Sequence, residues 1–109
     1  LRGGVMKERI KVYLYNKTFK EIDMTDFAYI SEDIFSDRTD IVKVVLPEGV
    51  EEIGNNAFEN CVRLEEVVFP SSLKKIGAEA FVDCINLRKV NVGQSVDVDV
   101  SAFKGCYNL

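Results

Sequence analysis

Three cysteines are the residues of this sequence with the most recognisable chemistry, since thiolates bind metals, form disulfides and act as nucleophiles. They are Cys61, Cys84 and Cys106, and they are separated by 23 and 22 positions. A zinc site would instead use C-x-x-C spacing or histidine, and the sequence contains no histidine. Three thiols cannot all pair as disulfides, so the spacing favours small buried thiols that recur with a longer period. We expect no metal and no cofactor.

Oxygen-bearing side chains alternate with valines near the carboxyl end, at Ser95, Asp97, Asp99 and Ser101. In an extended segment all four would share one face and could contact a calcium ion. Calcium takes about six to eight oxygen ligands, often converging from a curved loop, whereas a straight strand only places them in a row. A solvated strand face is therefore the favoured interpretation, with calcium binding as the alternative.

The sequence contains no pattern typical of an enzyme. It has no histidine base, no G-x-S-x-G motif and no glycine-rich phosphate loop. Fourteen basic against eighteen acidic residues give a net charge of −4, without the basic stripe that nucleic-acid binding needs. Apolar runs such as Val12–Tyr15 are far too short to cross a bilayer, and no signal-peptide pattern opens the chain. A binding module and a structural element are the function classes that remain.

The cysteine spacing is one part of a repeat that runs through most of the chain. Residues 41–47 are echoed by residues 64–70, and residues 53–58 by residues 76–81, both 23 positions later. A further copy follows with one residue fewer, and a weaker one precedes. The repeat predicts an N-terminal segment, 1–18, with a cap strand at Ile10–Tyr15, and then four units, 19–40, 41–63, 64–86 and 87–109.

Each unit is predicted to form one coil of a stack. Alternating β-branched and aromatic residues indicate a short strand, and Pro47 and Pro70 indicate its end, because proline cannot donate to a strand ladder. Gly77 is expected to allow a backbone conformation that is costly for other residues, and Ala80 and Phe81 to begin a helical or 3₁₀ turn. One unit cannot cover its own apolar face, so neighbouring coils must stack.

Stacked coils place equivalent residues in columns. Two polar columns are predicted to alternate in sign from coil to coil, so that attraction between adjacent coils fixes their register: Glu21/Lys43/Glu66/Lys89 and Glu51/Lys74/Asp97. Five columns are apolar in every unit and are predicted to face the core: Phe19/Ile41/Leu64/Leu87, Ile22/Val44/Val67/Val90, Met24/Leu46/Phe69/Val92, Ile30/Ile53/Ile76/Val98 and Phe35/Phe58/Phe81/Phe103.

The solvent-facing side of the strands is the predicted binding site. One outward column holds Asp23, Val45, Val68 and Asn91. Two adjacent valines inside a charged frame are typical of the apolar centre and polar rim of a small interface. The alternative is that these valines serve strand propensity alone. The predicted site residues are Lys43, Val45, Glu66, Val68, Lys89 and Asn91.

The pattern Lxx(V)x(F)P…(L)xxIGxxAFxxC, as it stands in residues 64–84, closely resembles the BspA-like, or type-5, leucine-rich repeat family. The resemblance is strong over residues 41–106 and weak over residues 19–40, where Thr25 replaces the proline and Ser31 the glycine. The sequence is expected to lack the asparagine ladder of the commoner leucine-rich repeats, so their horseshoe geometry is not expected in detail.

This resemblance implies a repeat solenoid of the α/β leucine-rich-repeat type, mainly β, with short parallel strands on one face and short helical or 3₁₀ turns. It also implies a non-catalytic protein-interaction or adhesion module within a larger protein that is secreted or exposed on a cell surface. The partner would be a protein, or a glycan, bound through the strand face. A structural spacer without a ligand is the alternative. Uncovered strand edges also make edge-to-edge self-association an expectation.

Overall fold

The computed structural model describes residues 9–24, Asp26 and residues 28–109 of the chain. Thr25 and residues 1–8, to which the sequence analysis assigned roles, lie outside the described residues. Within the described ranges all the regular elements are strands: β1 (Arg9–Leu14), β2 (Phe19–Asp23), β3 (Tyr29–Ile30), β4 (Ile41–Val45), β5 (Glu52–Ile53), β6 (Glu66–Val68), β7 (Lys75–Ile76), β8 (Lys89–Val90) and β9 (Asp97–Val98).

The strands form two sheets, in the orders β2-β1-β4-β6-β8 and β3-β5-β7-β9. In the first sheet β4, β6 and β8 are parallel neighbours, with Val44 opposite Val67 and Val67 opposite Val90. The second sheet is parallel throughout, with Ile53 opposite Ile76. Successive repeats add one strand to each sheet. The predicted repeat solenoid with short parallel strands on one face is confirmed.

Backbone hydrogen bonds also join the coils on the side of the turns. Phe35 N–H donates to the carbonyl of Ala57 at 2.8 Å, and Phe58 N–H donates to the carbonyl of Ala80 at 2.7 Å. Within each turn a bond spans three residues, as from Cys61 N–H to the carbonyl of Phe58 at 3.3 Å. The chain therefore makes single tight turns where helical or 3₁₀ turns were expected.

Each tight turn contains residues with left-handed backbone conformations. Asp37, Asn60 and Asp83 have φ values of 61°, 60° and 61°, and Gly105 follows in the same column at 82°. Aspartate and asparagine adopt this conformation more readily than other non-glycine residues. Their recurrence with the period of the repeat is a sequence signal for the turn geometry, which the sequence analysis missed.

A continuous stack of phenylalanine rings forms the centre of the core, as predicted. The ring centroids of Phe35 and Phe58 are 5.2 Å apart, those of Phe58 and Phe81 4.8 Å, and those of Phe81 and Phe103 5.2 Å. Phe58 and Phe81 are fully buried. Offset aromatic stacking adds about 0.5–1.5 kcal/mol per pair beyond the burial of apolar area.

The first unit departs from the predicted stack. β2 pairs antiparallel with β1, and β1 lies between β2 and β4, with which it is also antiparallel. The prediction that Phe19 shares the buried column of Ile41 is therefore wrong, and the Phe19 side chain is 46% exposed. Ile10, Val12 and Leu14 of β1 cover the core instead.

A hairpin turn explains this departure. The side-chain oxygen of Asn16 accepts hydrogen bonds from the Thr18 amide at 3.1 Å and hydroxyl at 2.6 Å, and Lys17 has a φ of 69°. This Asx-type turn folds β2 back on β1 before it can reach β4. Glu21 consequently lies opposite Lys11, so its predicted place beside Lys43 is wrong.

A one-residue deletion also changes one predicted charged column. Asp97 lies opposite Lys75, whereas the predicted column placed it beside Lys74. The deletion precedes Asp97, which shifts the register of the last coil by one position and aligns Val98 with Ile76. The other pair of that column is confirmed, because Lys74 Nζ lies 3.2 Å from Glu51 Oε1.

The repeated glycines act through close packing of the coils. Gly54 and Gly77 do not have left-handed conformations, so the expected role of Gly77 is wrong. A Cβ atom on Gly54 would lie 2.6 Å from the carbonyl oxygen of Ile30 and 2.8 Å from the amide of Glu32. Glycine is required here because the backbone of the preceding coil occupies the space of a side chain.

Two asparagines form a short ladder that the sequence analysis did not recognise. The Asn86 side-chain amide donates to the carbonyl of Val62 at 2.7 Å, and that of Asn108 donates to the carbonyl of Ile85 at 2.7 Å. Each bond joins one coil to the preceding coil. Arg63 occupies the equivalent position one coil earlier, which is why the column is not obvious in the sequence.

Candidate functional site

The candidate site is the solvent-facing side of the five-stranded sheet, which we call the outer sheet face. Val12, Val44 and Val67 point to the core, so their strand neighbours point outward. Strand pairing arranges these outward residues in two rows across the sheet, the first running Phe19, Tyr13, Lys43, Glu66 and Lys89, and the second Glu21, Lys11, Val45 and Val68.

The predicted charged residues of the first row lie side by side. Glu66 Oε1 lies 3.6 Å from Lys43 Nζ, and its Oε2 lies 3.8 Å from Lys89 Nζ. Its side chain is only 25% exposed, whereas those of the lysines are 39% and 71% exposed. Such pairs contribute about 0.2–1 kcal/mol each, so their main effects are to fix register and to set the local charge.

The two predicted valines are adjacent in the second row. Val45 and Val68 are register partners, and both are half-buried. Beside them lies a shallow depression of about 260 Å³, lined by Glu66, Val68, Lys89 and Asn91 among others. The arrangement is a small apolar area beside charged side chains, held on a hydrogen-bonded sheet.

Asn91 is near this area, but its side-chain amide already has partners. Its oxygen accepts from the amide of Phe69 at 2.8 Å, and its nitrogen donates to the carbonyl of Phe69 at 3.1 Å. The Asn91 side chain thus extends the hydrogen bonding between adjacent strands of the sheet beyond the end of β8. Asp23 was placed in the same column by sequence, but it lies opposite Arg9 and forms an ion pair with it at 2.9 Å.

An aromatic and cationic cluster beside the valines was missed by the sequence analysis. The rings of Tyr13 and Phe19 have centroids 4.9 Å apart, and Lys43 Nζ lies 5.6 Å from the centre of the Tyr13 ring. The Arg63 guanidinium lies 4.3 Å from the centre of the Tyr15 ring. Tyr15 lies in the turn that directly follows β1. We call Tyr13, Tyr15, Phe19, Lys43 and Arg63 the hairpin patch.

A sequence signal for part of the hairpin patch exists. In the run Ile10–Tyr15, apolar residues alternate with Lys11, Tyr13 and Tyr15, which indicates a strand with an aromatic outer side. The contacts with Phe19 and Lys43 depend on the antiparallel hairpin. The sequence does not indicate these contacts, because the apolar spacing of residues 19–24 also fits a strand of the parallel stack.

The cysteines form a column beneath the turns. The thiols of Cys61, Cys84 and Cys106 donate to the carbonyls of Phe35, Phe58 and Phe81 at 3.2, 3.1 and 3.1 Å. Contacts with the neighbouring thiols, together with burial, raise the pKa of Cys84. The prediction of buried thiols is confirmed for Cys61 and Cys84, and Cys106 is half-buried.

The four oxygen-bearing residues near the carboxyl end do not share one extended face. Only Asp97 is in a strand, whereas Ser95 and Ser101 lie in turns. The Ser101 hydroxyl and amide donate to Asp99 Oδ1 at 2.7 and 2.9 Å, and these bonds lower the pKa of Asp99. The prediction of a straight row is wrong because the chain turns after Asp99. Among the described residues, no group of three or more acidic or cysteine side chains is arranged to hold a metal ion.

Sequence comparison gives one family match. The model of the BspA type leucine-rich repeat region matches residues 8–109, with six copies. No curated protein has a significant sequence match to the chain. In the described part of the chain, no helix has the length and apolar character needed to cross a membrane.

Two solved structures are similar to this chain. A leucine-rich repeat protein of T. pallidum is 38% identical, with a TM-score of 0.71 over 75% of this chain and 39% of that chain. A leucine-rich cell surface protein of Faecalibacterium prausnitzii A2-165 is 21% identical, with a TM-score of 0.60 over 100% of this chain and 42% of that chain. The present chain therefore spans about two fifths of the length of these structures, and the second likeness concerns the fold alone.

Proposed function

The chain belongs to the BspA-type leucine-rich repeat family, and we propose that it is a non-catalytic protein-interaction module that binds a partner through the outer sheet face. The observation that carries the proposal is the pair of half-buried valines, Val45 and Val68, next to Lys43, Glu66 and Lys89. An apolar centre with a charged rim is the usual composition of a protein interface.

The rigidity of the sheet supports this function. Each strand of β4, β6 and β8 is hydrogen-bonded to its neighbour, and further backbone bonds join the same coils at the turns. A surface on such a platform loses little conformational freedom when a partner binds, so more of the contact energy remains as affinity. The family's repeats present side chains at regular spacings along one face, which suits recognition of an extended surface.

The proposal is tested with the double variant Val45→Asp/Val68→Asp. A protein array is probed with the purified chain, and each captured protein is then measured against wild type and variant by biolayer interferometry. We expect the double variant to weaken a true interaction by about thirtyfold or more, since buried charges replace the apolar centre. The variant Val45→Thr/Val68→Thr retains β-branched side chains and is expected to weaken binding by a smaller factor.

Val100→Asp is the matched control, because Val100 is fully exposed and lies on a turn of the last coil. It should leave binding unchanged. Thermal unfolding of all variants separates a lost contact from a lost fold. If every captured interaction survives the aspartate pair in folded protein, the outer sheet face is not the binding surface.

A spacer that holds other parts of a larger protein apart is the second candidate function. It is favoured by one observation, the use of polar side chains to join coils, as in Asn91 with Phe69 and Glu48 with Ser71. Such side chains strengthen the stack and offer little to a partner. Folded chain that captures no protein on the array would support the spacer function.

A further inference from the structure

The hairpin patch groups three exposed aromatic rings, whereas the phenylalanine stack of the coils is buried at its centre. Tyr13, Tyr15 and Phe19 are 37%, 57% and 46% exposed, whereas Phe58 and Phe81 are fully buried. A large aromatic side chain has about 150–250 Å² of surface to bury, so exposed rings in one cluster are typical of the residues that anchor a partner.

The charge of this region is opposite to that of the chain. Residues 10–20 contain three lysines and no acidic residue, although the chain carries a net charge of −4. Of these, Lys11 lies on the outer sheet face, whereas Lys20 is paired with the inward-facing Val12. Lys43 and Arg63 add two further cations directly against the Tyr13 and Tyr15 rings. A partner that covers these rings would bring its own side chains beside several positive charges, which favours acidic groups.

The remainder of the outer sheet face disfavours a uniformly anionic ligand. Glu66 lies between Lys43 and Lys89, and Glu21 lies opposite Lys11. Nucleic acid, an acidic polysaccharide or an anionic membrane would place negative charges against these carboxylates as well as against the lysines. Val45 and Val68 offer apolar contacts that nucleic acid and acidic polysaccharides do not use. Complementarity therefore favours a polypeptide in which acidic residues are followed by apolar ones.

We propose that the outer sheet face binds an extended acidic and apolar polypeptide segment, with the acidic residues over the hairpin patch and the apolar side chains on Val45 and Val68. The inference rests on the proposed interaction function and specifies its partner chemistry. Rings with cations stacked on them supply apolar contact and charge at one place, so a carboxylate and a neighbouring apolar side chain can be bound together.

The test uses a capped octapeptide, in which four acidic residues, Asp-Glu-Asp-Glu, are followed by Phe-Val-Leu-Val. It is titrated into ¹⁵N-labelled chain, and amide shifts give the site and the affinity. We expect shifts at Tyr15, Phe19, Lys43 and Val45, and an affinity that falls as salt is raised, because exposed charges are screened. A peptide with lysines in place of the acidic residues should bind at least about tenfold more weakly.

Variants of the hairpin patch should separate the two parts of the recognition. Tyr15→Thr/Phe19→Thr removes two exposed rings, retains a strand-forming residue in β2, and should weaken binding of the acidic peptide by about tenfold. Arg63→Gln should weaken it by about threefold and reduce its salt dependence. The matched controls are Tyr107→Thr and Lys104→Gln, which are exposed on the last coil and should not change the affinity.

The proposal is overturned if the lysine peptide binds equally well, if shifts fall only outside the outer sheet face, or if no peptide binds. It is also overturned if an oligouronate or oligodeoxythymidine binds the hairpin patch more tightly than the acidic peptide. The proposed function would still hold after these results if an array partner no longer binds Val45→Asp/Val68→Asp but does bind Tyr15→Thr/Phe19→Thr. An array partner that both variants still bind would instead contradict the proposed function.

Discussion

The N-terminal hairpin and the repeating coils of this chain use sheet structure in different ways. In the coils every strand pairs in parallel with an equivalent strand, and identical or similar side chains stack on one another, as Phe58 does on Phe81. In the hairpin the strands are antiparallel, and the rings of Tyr13 and Phe19 pair across strands on the exposed side. The coils bury the phenylalanines of their central stack, whereas the hairpin exposes its paired rings.

This difference matches the division between stability and the recognition proposed for the hairpin. A coil interacts with its neighbours alone, so its core positions must be apolar in every repeat to keep the stack continuous. Among the described strands, β2 forms the edge of the first sheet, and the hairpin pairs with one coil, through β4. Its outward side chains do not have to match an equivalent strand, which fits the recognition role proposed for them.

The largest expected effect in this comparison comes from the aromatic rings. Phe58→Ala removes a fully buried ring that stacks on Phe35 and Phe81, and should lower the free energy of unfolding by about 3–5 kcal/mol. Phe19→Ala removes a half-exposed ring with one aromatic partner, and should cost about 1 kcal/mol or less. Urea unfolding followed by circular dichroism measures both.

Phe58→Leu is the companion variant if Phe58→Ala does not fold, and it should show an intermediate loss because it keeps part of the apolar volume. Equal losses for Phe58→Ala and Phe19→Ala would contradict the comparison. They would mean that Phe19 belongs to the same cooperative core as Phe58.

Glycine substitutions should give the next largest effect. Gly54→Ala places a methyl group against the backbone of residues 30 and 32 in the preceding coil, and should destabilise by about 1–3 kcal/mol. Gly93→Ala is the matched control, because its nearest atom would be Val96 Cγ2 at an ordinary 3.8 Å. It should change stability by no more than about 0.5 kcal/mol. Thermal unfolding compares the two, and a neutral Gly54→Ala would show that the coils can separate at this point without cost.

The sequence was sufficient to predict the coils because their period is carried by many residues at once. Prolines, glycines, phenylalanines and cysteines recur together, so the stacked columns of Ile53 with Ile76 and of Phe58 with Phe81 could be predicted. The valine pair of the candidate site followed from the same alignment. The effect of a one-residue deletion was harder to predict, because it shifts the register of the last coil and places Asp97 opposite Lys75.

The hairpin could not be predicted in the same way, because its pairing depends on one local turn. Residues 19–24 have apolar spacing that fits a repeat, but the turn at Asn16 and Thr18 returns the chain antiparallel to β1. The contacts of Tyr13 with Phe19 and Lys43 follow from that turn. Half of the candidate surface was therefore visible in the sequence, and the aromatic half required the structure.

The smallest expected effect concerns Asp40, where the hairpin meets the first coil. The Asp40 carbonyl accepts from the Tyr15 amide at 2.9 Å, and its carboxylate pairs with the Arg38 guanidinium at 2.9 Å. The Arg38 hydrogen bond holds the pKa of Asp40 below its ordinary value of 3.8. A depressed folded-state pKa stabilises the protein above the unfolded pKa, and this contribution is lost as pH falls through the folded pKa.

Asp40→Asn should therefore destabilise the chain by about 0.5 kcal/mol near neutral pH, a value kept small because both side chains are well exposed to solvent. The difference from wild type should vanish at a pH below the folded-state pKa, where Asp40 is protonated in both states. Urea unfolding of both proteins at a series of pH values measures it. A difference independent of pH would assign the effect of Asp40 to hydrogen bonding and turn geometry, and the junction between hairpin and coils would then not depend on the charge of this carboxylate.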